Sequence, residues 1–178
     1  MAELETATLG GGCFWCLEAV FDLMRGVHSV ESGYMGGPGA HPTYRDVCGG
    51  KTGHAEAVQL QFDPDETSFA TILEVFFNIH DPTTLDRQGN DVGTQYRSVI
   101  FFHSPDQERV ARAAIGNLGP AFRDPVVTEV SPAETFWVAE DYHQEYFAQH
   151  GHEPYCQLVV SPKVAKFRKY FAQHLGKT

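Results

Sequence analysis

No stretch approaching the roughly 18 consecutive apolar residues of a membrane-spanning helix occurs in this chain of 178 residues. The opening Met1-Ala2-Glu3-Leu4-Glu5 is acidic and short, without the cationic and then apolar pattern of a signal peptide. Basic residues are scarce: 13 Lys and Arg stand against 23 Asp and Glu, for a formal charge of -10. That balance works against nonspecific nucleic-acid binding. Internal repeats and low-complexity tracts are absent, and the single Cys-x-x-Cys has no second pair at zinc-finger spacing. These absences set the expectation of a cytoplasmic protein that engages neither membrane nor nucleic acid, and nothing in them calls for more than a monomer. In such a protein four cysteines read as reactive or metal-binding rather than as structural cross-links.

What is present suffices for a core. Apolar residues make up 42% of the chain, and its length fits one domain over residues 1–178. Val58-Gln59-Leu60-Gln61-Phe62 alternates as a strand and ends at Asp63-Pro64-Asp65. Phe69, Ile72, Leu73 and Phe76 mark an amphipathic helix, and Val99 to Phe102 reads as a buried strand. Ser104-Pro105-Asp106-Gln107 combines an N-cap, a proline at the first helical position and a glutamine that completes a capping box. Val126 to Val130 is a further strand; 140–150 and 163–175 read as helices, the latter with Val164, Phe167, Phe171 and Leu175 on one face. Strands alternating with helices fit an α/β or an α+β sandwich, with the α+β two-layer form, a mixed sheet packed with helices, as the expectation. Two connections, 36–56 and 81–97, are too long for plain turns and carry Tyr44, Cys48, His54, Glu56, Asp91, Gln95 and Tyr96. Loops of such length in a compact domain are functional or disordered, and this density of aromatic and acidic residues favours packed, functional loops.

The most informative junction is Gly10-Gly11-Gly12-Cys13-Phe14-Trp15-Cys16. Thr6 to Leu9 ends a strand before it, and Leu17, Val20, Phe21 and Met24 follow at helical spacing up to a stop at Arg25-Gly26. Cys13 therefore sits at a helix mouth, where unpaired N–H groups and the positive end of the helix dipole favour a thiolate and a lowered pKa. That makes Cys13 the candidate nucleophile. The opposing reading makes Cys13 a small core hydrophobe among Phe14, Trp15 and Leu17. A thiolate together with loops bearing a carboxylic acid and tyrosine hydroxyls suggests nucleophilic attack with proton delivery.

Gly12 to Trp15, Thr52-Gly53-His54-Ala55-Glu56 and Asp91-Val92-Gly93-Thr94-Gln95-Tyr96-Arg97-Ser98 closely resemble the A-type peptide methionine sulfoxide reductases. Ala139 to Gln144 and Pro154-Tyr155-Cys156 extend the resemblance along nearly the whole chain. It implies a ferredoxin-like core and thiol-dependent reduction of methionine S-sulfoxide, free or in proteins, with no cofactor and no metal. Carried onto these positions, Cys13 attacks the sulfoxide sulfur, and Phe14 and Trp15 wall a pocket for the terminal methyl. Glu56 is the protonated acid beside the sulfoxide oxygen, Tyr44 and Tyr96 are hydroxyl donors, and Asp91 orients substrate or water. The resulting sulfenic acid is resolved by Cys156, or alternatively by Cys16, into a disulfide that thioredoxin reduces. Many relatives carry a longer glycine-rich tail, whereas here Tyr155 to Val160 looks strand-like, which leaves the recycling route open. Cys48 is a bystander, and His54 makes a structural hydrogen bond. Two rivals remain. A thioredoxin-like disulfide oxidoreductase accounts for the Cys-x-x-Cys but not for the long loops. A non-enzymatic metal module would draw Cys13, Cys16, Cys48 or Cys156 together with some of the nine histidines.

Overall fold

In a computed structural model of the chain, which describes residues 3–176, three strands set the frame: β1 (Glu5–Gly10), β2 (Val27–Met35) and β3 (Ala55–Phe62). Side chains alternate across a strand with period two. Leu9, Val58, Leu60 and Phe62 accordingly share one fully buried face. On the other face the amides of Gln59 and Gln61 donate to the hydroxyls of Thr8 and Thr6 at 3.1 and 2.9 Å. β3 lies between the other two, antiparallel to both, with Leu9 opposite Val58 and Tyr34 opposite Glu56. The short hairpin β4 (Arg87–Gln88) and β5 (Asp91–Val92) stands apart. β6 (Val99–Phe102), β7 (Glu129–Pro132) and β8 (Trp137–Val138) complete a six-stranded sheet of order β7-β6-β1-β3-β2-β8. Its β6–β7 pair is parallel and its other pairs antiparallel.

The helices are α1 (Phe14–Phe21), α2 (Tyr44–Cys48), α3 (Phe69–Ile79), α4 (Pro105–Leu118), α5 (Tyr146–His150) and α6 (Ser161–Tyr170). Leu17, Val20, Phe21 and Met24 are buried as their spacing requires, and so are Phe69, Ile72, Leu73 and Phe76. These residues join the inward strand face in one core, while Met35, Ala55, Val99 and Phe101 form a smaller cluster with Phe136 on the far side of the sheet. The expected α+β domain, a mixed sheet packed with helices, is the one adopted. Among the described residues no helix is long and apolar enough to cross a membrane.

Local expectations fail where tertiary contacts intervene. Tyr155 to Val160 is not strand-like: Cys156–Val160 is a π-helical turn running into α6. Cys156, Val160, Val164, Phe167 and Phe171 are all buried, a helical stripe that a six-residue window hides. Pro162 lacks an N–H and its ring blocks the carbonyl four residues back, so the ladder ahead of it slips to an i→i+5 bond from the Ser161 N–H to the Cys156 carbonyl. The helix expected over 140–150 is broken into a 3-10 turn at Asp141–His143 and the short α5. The cause is the Gln144 amide, which bonds both backbone groups of Ser32 at 2.9 Å and pulls the chain onto β2. α1 ends at Phe21, well before Arg25-Gly26, although Gly26 does hold a positive φ of 87°. α6 likewise stops at Tyr170, with a 3-10 turn over Ala172–His174. The strand expected at 126–130 forms at Glu129–Pro132, because the Val127 N–H is taken by the Pro82 carbonyl at 2.8 Å. The capping box at Ser104 is half-formed. Its hydroxyl accepts from the Gln107 N–H at 3.1 Å, but the Gln107 carbonyl oxygen takes the His103 N–H instead.

Phe21 lies at the helix–sheet contact with no exposed surface. Phe21→Ala should lower the unfolding free energy by about 3–5 kcal/mol, the cost of a large cavity in a packed core, as read by denaturant titration.

Candidate active site

The glycines ahead of Cys13 are required by close approach. A Cβ on Gly10 would lie 2.9 Å from the Glu56 carbonyl, and one on Gly12, whose φ is +85°, would lie 2.6 Å from the Gln88 side chain. Cys13 is thereby delivered as the N-cap of α1, in extended conformation. Cys13 is 8% exposed and lines a cavity of about 330 Å³ together with Asp91, Tyr155, Leu158 and Lys163.

Glu56 follows Ala55 at the start of β3, and alternation turns it to the same face as Val58 and Leu60. It is 1% exposed, and its Oε1 accepts the Phe14 N–H, in the first turn of α1, at 3.1 Å. Burial pushes this carboxyl up to about 8; the Phe14 N–H opposes the shift and the Asp91 charge adds to it. Glu56 is therefore protonated at neutral pH. The expectation of a lowered Cys13 pKa is overturned. Burial first, then the charges of Glu56 and Cys16, hold the thiol well above its usual range against the Trp15 N–H and the Tyr155 hydroxyl. The N–H of Phe14 serves the carboxyl of Glu56, and the helix mouth is too dry for a resting thiolate.

Tyr44 at the start of α2 and Tyr96 in the 3-10 turn Thr94–Tyr96 are half-buried beside the same carboxyl. Desolvation raises both phenols, with Glu56 adding to each, so both hydroxyls keep their protons. Asp91 accepts from the Tyr155 hydroxyl at 2.6 Å. Cys13, Glu56, Tyr44, Tyr96 and Asp91, drawn from four separate segments, thus share one site. His54 takes the structural role expected, accepting from the Gly37 N–H at 3.0 Å and bonding the Gly39 carbonyl at 2.6 Å. Cys48 is exposed.

Phe14 is fully buried, and Trp15 keeps partial exposure. Their surroundings supply residues to which sequence reasoning gave no role. Trp15 stacks on Tyr146 at 3.7 Å and 5° and meets Tyr155 edge-on at 5.7 Å. Its indole N–H donates to His143 Nδ1 at 3.0 Å, so the His143 proton lies on Nε2, which is buried without a partner. Burial lowers the His143 pKa and keeps the ring neutral. Glu140 accepts the Tyr34 hydroxyl and the Tyr44 N–H, each at 3.0 Å. Beneath this wall Glu18 is 2% exposed. Desolvation carries its carboxyl to about 7, against the N–H groups of Glu145 and Tyr146. The signal for these residues was the density of Tyr and His over 142–146 and the position of Tyr155 beside Cys156.

Cys16 is fully buried one turn along α1, its N–H on the Cys13 carbonyl at 3.1 Å. Desolvation raises its thiol to about 11, Lys163 opposes, and Asp91 and Cys156 add. Cys156 is also fully buried. Among the described residues, the donor atoms that converge as a metal set would are those of His28, Asp63 and Glu66. They belong to the opposite end of β3 from Glu56 and include no cysteine.

The model of the family described as peptide methionine sulfoxide reductase matches residues 5–175. The chain is 57% identical over 173 residues to the peptide methionine sulfoxide reductase MsrA of Polynucleobacter asymbioticus, covering 96% of this chain and 91% of that one. It is 58% identical over 178 residues to the protein of the same name from Ralstonia nicotianae, covering 97% and 93%. Among solved structures, reduced Mxr1 from Saccharomyces cerevisiae superposes with a TM-score of 0.81 at 32% identity, over 86% of this chain and 90% of that one. Methionine sulfoxide reductase A of Corynebacterium diphtheriae gives 0.75 at 36%, over 83% and 75%. Mxr1 in complex with Trx2 shares the fold, with a TM-score of 0.56 at 22% identity over 82% and 88%.

The raised carboxyls make stability depend on pH in a defined direction. Between the ordinary value of about 4.5 and the folded value of about 8, folded Glu56 keeps a proton that the unfolded chain has released, so stability falls as pH rises through that window. Glu18 acts in the same sense up to about 7. Glu56→Gln should therefore flatten the decline in Tm between roughly pH 7 and 8, leaving the Glu18 contribution below it. Calorimetry across that range checks this, and an unchanged slope would place the ionising group elsewhere.

Proposed function

Because this chain belongs to the peptide methionine sulfoxide reductase family, we propose that Cys13, Glu56, Tyr44, Tyr96 and Asp91 are the groups with which it reduces the S-epimer of methionine sulfoxide. The chain is a thiol-dependent oxidoreductase acting on methionine sulfoxide; the assignment of steps to residues is our reading. One observation carries it: a buried, protonated carboxyl anchored on the backbone N–H of the residue that follows the nucleophile.

A sulfoxide oxygen leaves sulfur readily only once it is protonated. Glu56 holds a proton at neutral pH, with the Tyr44 and Tyr96 hydroxyls beside it. Cys13 Sγ attacks the substrate sulfur as its own proton passes into this donor set. The oxygen ends on Cys13 as sulfenic acid and methionine departs, two electrons having moved from the thiol sulfur to the sulfoxide. Trp15 walls the methyl pocket and Phe14 backs it through His143, at a ring separation of 5.1 Å.

For recycling, the placement of Cys16 supports it as the first resolving thiol. It lies one turn along α1 from Cys13, its N–H on the Cys13 carbonyl at 3.1 Å, with Cys156 within electrostatic reach. Cys156 is sealed in the π-helical turn. Cys16 condenses with the sulfenic acid, releasing water, and Cys156 exchanges into that disulfide before an external dithiol reduces it. The yeast relative solved with Trx2 supports a thioredoxin as that dithiol.

In single-turnover assays Cys13→Ser should release no methionine. Glu56→Gln should slow release by roughly 10²–10⁴-fold, the reach of general acid catalysis. Tyr44→Phe and Tyr96→Phe should each cost less than that and cost more together. Parent rates in Glu56→Gln at all pH values would move the acid elsewhere.

Both Cys16→Ser and Cys156→Ser should complete the first turnover. The Cys16 variant should then stall with Cys13 labelled by a dimedone-type probe, and the Cys156 variant with a Cys13–Cys16 disulfide in peptide maps. A sulfenic acid trapped in the Cys156 variant but not in the Cys16 variant would reverse the order.

A further inference from the structure

Beside the Cys13 cavity lies a second, larger cleft of about 700 Å³, between the end of α3, the β4 strand and the start of α6. The two adjoin. Gln88, Pro162 and Lys163 line both, and Gln88 is the side chain that crowds Gly12, one residue from Cys13. The Gln88 ridge is fixed in place, its amide accepting the Asp81 N–H and donating to the Asp81 carbonyl, both at 2.9 Å. Phe77 and Phe122 give the cleft apolar surface. His80 adds no charge, since burial holds it neutral.

Its charges are unlike those of the molecule. Arg123, Lys163 and Lys166 line it, in a chain of net charge -10. Among the described residues none of the three forms an ion pair. Asp81 and Asp124 also reach the cleft, so its lining carries three cationic side chains against two carboxylates, and Asp81 Oδ1 is turned to the N–H and hydroxyl of Thr83 at 2.9 and 2.5 Å. Arg123 and Lys166 are exposed. At physiological salt the Debye length is about 8 Å, so a bound chain senses these nearby cations more than the distant net charge.

We propose that this cleft receives the polypeptide flanking a substrate methionine sulfoxide, and that Arg123, Lys163 and Lys166 select substrates with an acidic side chain on one side of the sulfoxide. The proposal rests on the assignment of Cys13 as the nucleophile and adds a determinant that free methionine sulfoxide does not use.

The test compares kcat/KM for matched methionine sulfoxide peptides carrying Asp-Glu or Lys-Lys, on either side of the sulfoxide, with free methionine S-sulfoxide as a third substrate. The parent protein should prefer the acidic peptide on one side by roughly three- to ten-fold, as expected of a few solvent-exposed ion pairs, and lose that preference in high salt. The double variant Arg123→Glu/Lys166→Glu should reverse the preference, and Arg123→Gln/Lys166→Gln should abolish it. Both should leave free sulfoxide reduction and the melting temperature unchanged. Equal rates on both peptides in the parent, or a preference that survives charge reversal, would overturn the proposal. So would variants that alter only thioredoxin-supported turnover, which would give the cleft to the reductant. Methionine release by Cys13→Ser from all three substrates would instead refute the Cys13 assignment itself.

Discussion

The contact between the Glu56 carboxyl and the Phe14 N–H is the constraint on which the rest of the site depends. A helix begins with N–H groups that lack partners, and here one of them is taken by a carboxyl delivered from the sheet. The bond fixes α1 against β3, and it sets Glu56 and Cys13 in a space too dry for both to ionise. Burial dominates each of their shifts, the Glu56 charge adds to that of Cys13, and the Asp91 charge adds to that of Glu56. The resting pair is a thiol and a carboxylic acid. That state keeps a proton on each group, and it leaves little thiolate for adventitious oxidation.

Around this pair the aromatic wall is held from behind. Trp15 is positioned by Tyr146 on its face and His143 on its N–H, and both partners come from a segment that local preference alone would have made one helix. The segment breaks because Gln144 bonds β2. The break places Glu145 at a left-handed φ of 53°. A non-glycine residue held there is strained, and the Glu18 carboxyl facing its N–H helps to hold it. The polar side chains buried under the wall thus shape the pocket without taking part in the chemistry.

The same side of the molecule gathers its reducing equivalents. Cys16 and Cys156 are both fully buried, and Lys163 acts on Cys16 from the cavity rim. Lys163 also belongs to the neighbouring cleft. The Cys13 cavity and the neighbouring cleft with its Arg123, Lys163 and Lys166 side chains therefore meet at the start of α6.

Pattern alone determined much of this. The Gly-rich turn into Cys13, the stripe through Leu17, Val20 and Phe21, the alternation of Val58 to Phe62 and the two polar loops pointed to an α+β fold and to the segments that converge around Cys13. Each rests on short-range periodicity or on residue types that only certain backbone geometries accept. The tertiary structure decided what depends on surroundings. The thiol pKa rises because burial and Glu56 outweigh the helix terminus. Tyr155 to Val160 winds as a π-turn because Pro162 denies the preceding carbonyl its partner and the buried face continues into α6. His143, Tyr146 and Tyr155 become site residues because Gln144 and Asp91 draw distant segments onto β2 and Cys13. A local window reports how a side chain is spaced along the chain, whereas desolvation and long-range hydrogen bonds depend on what folds against it.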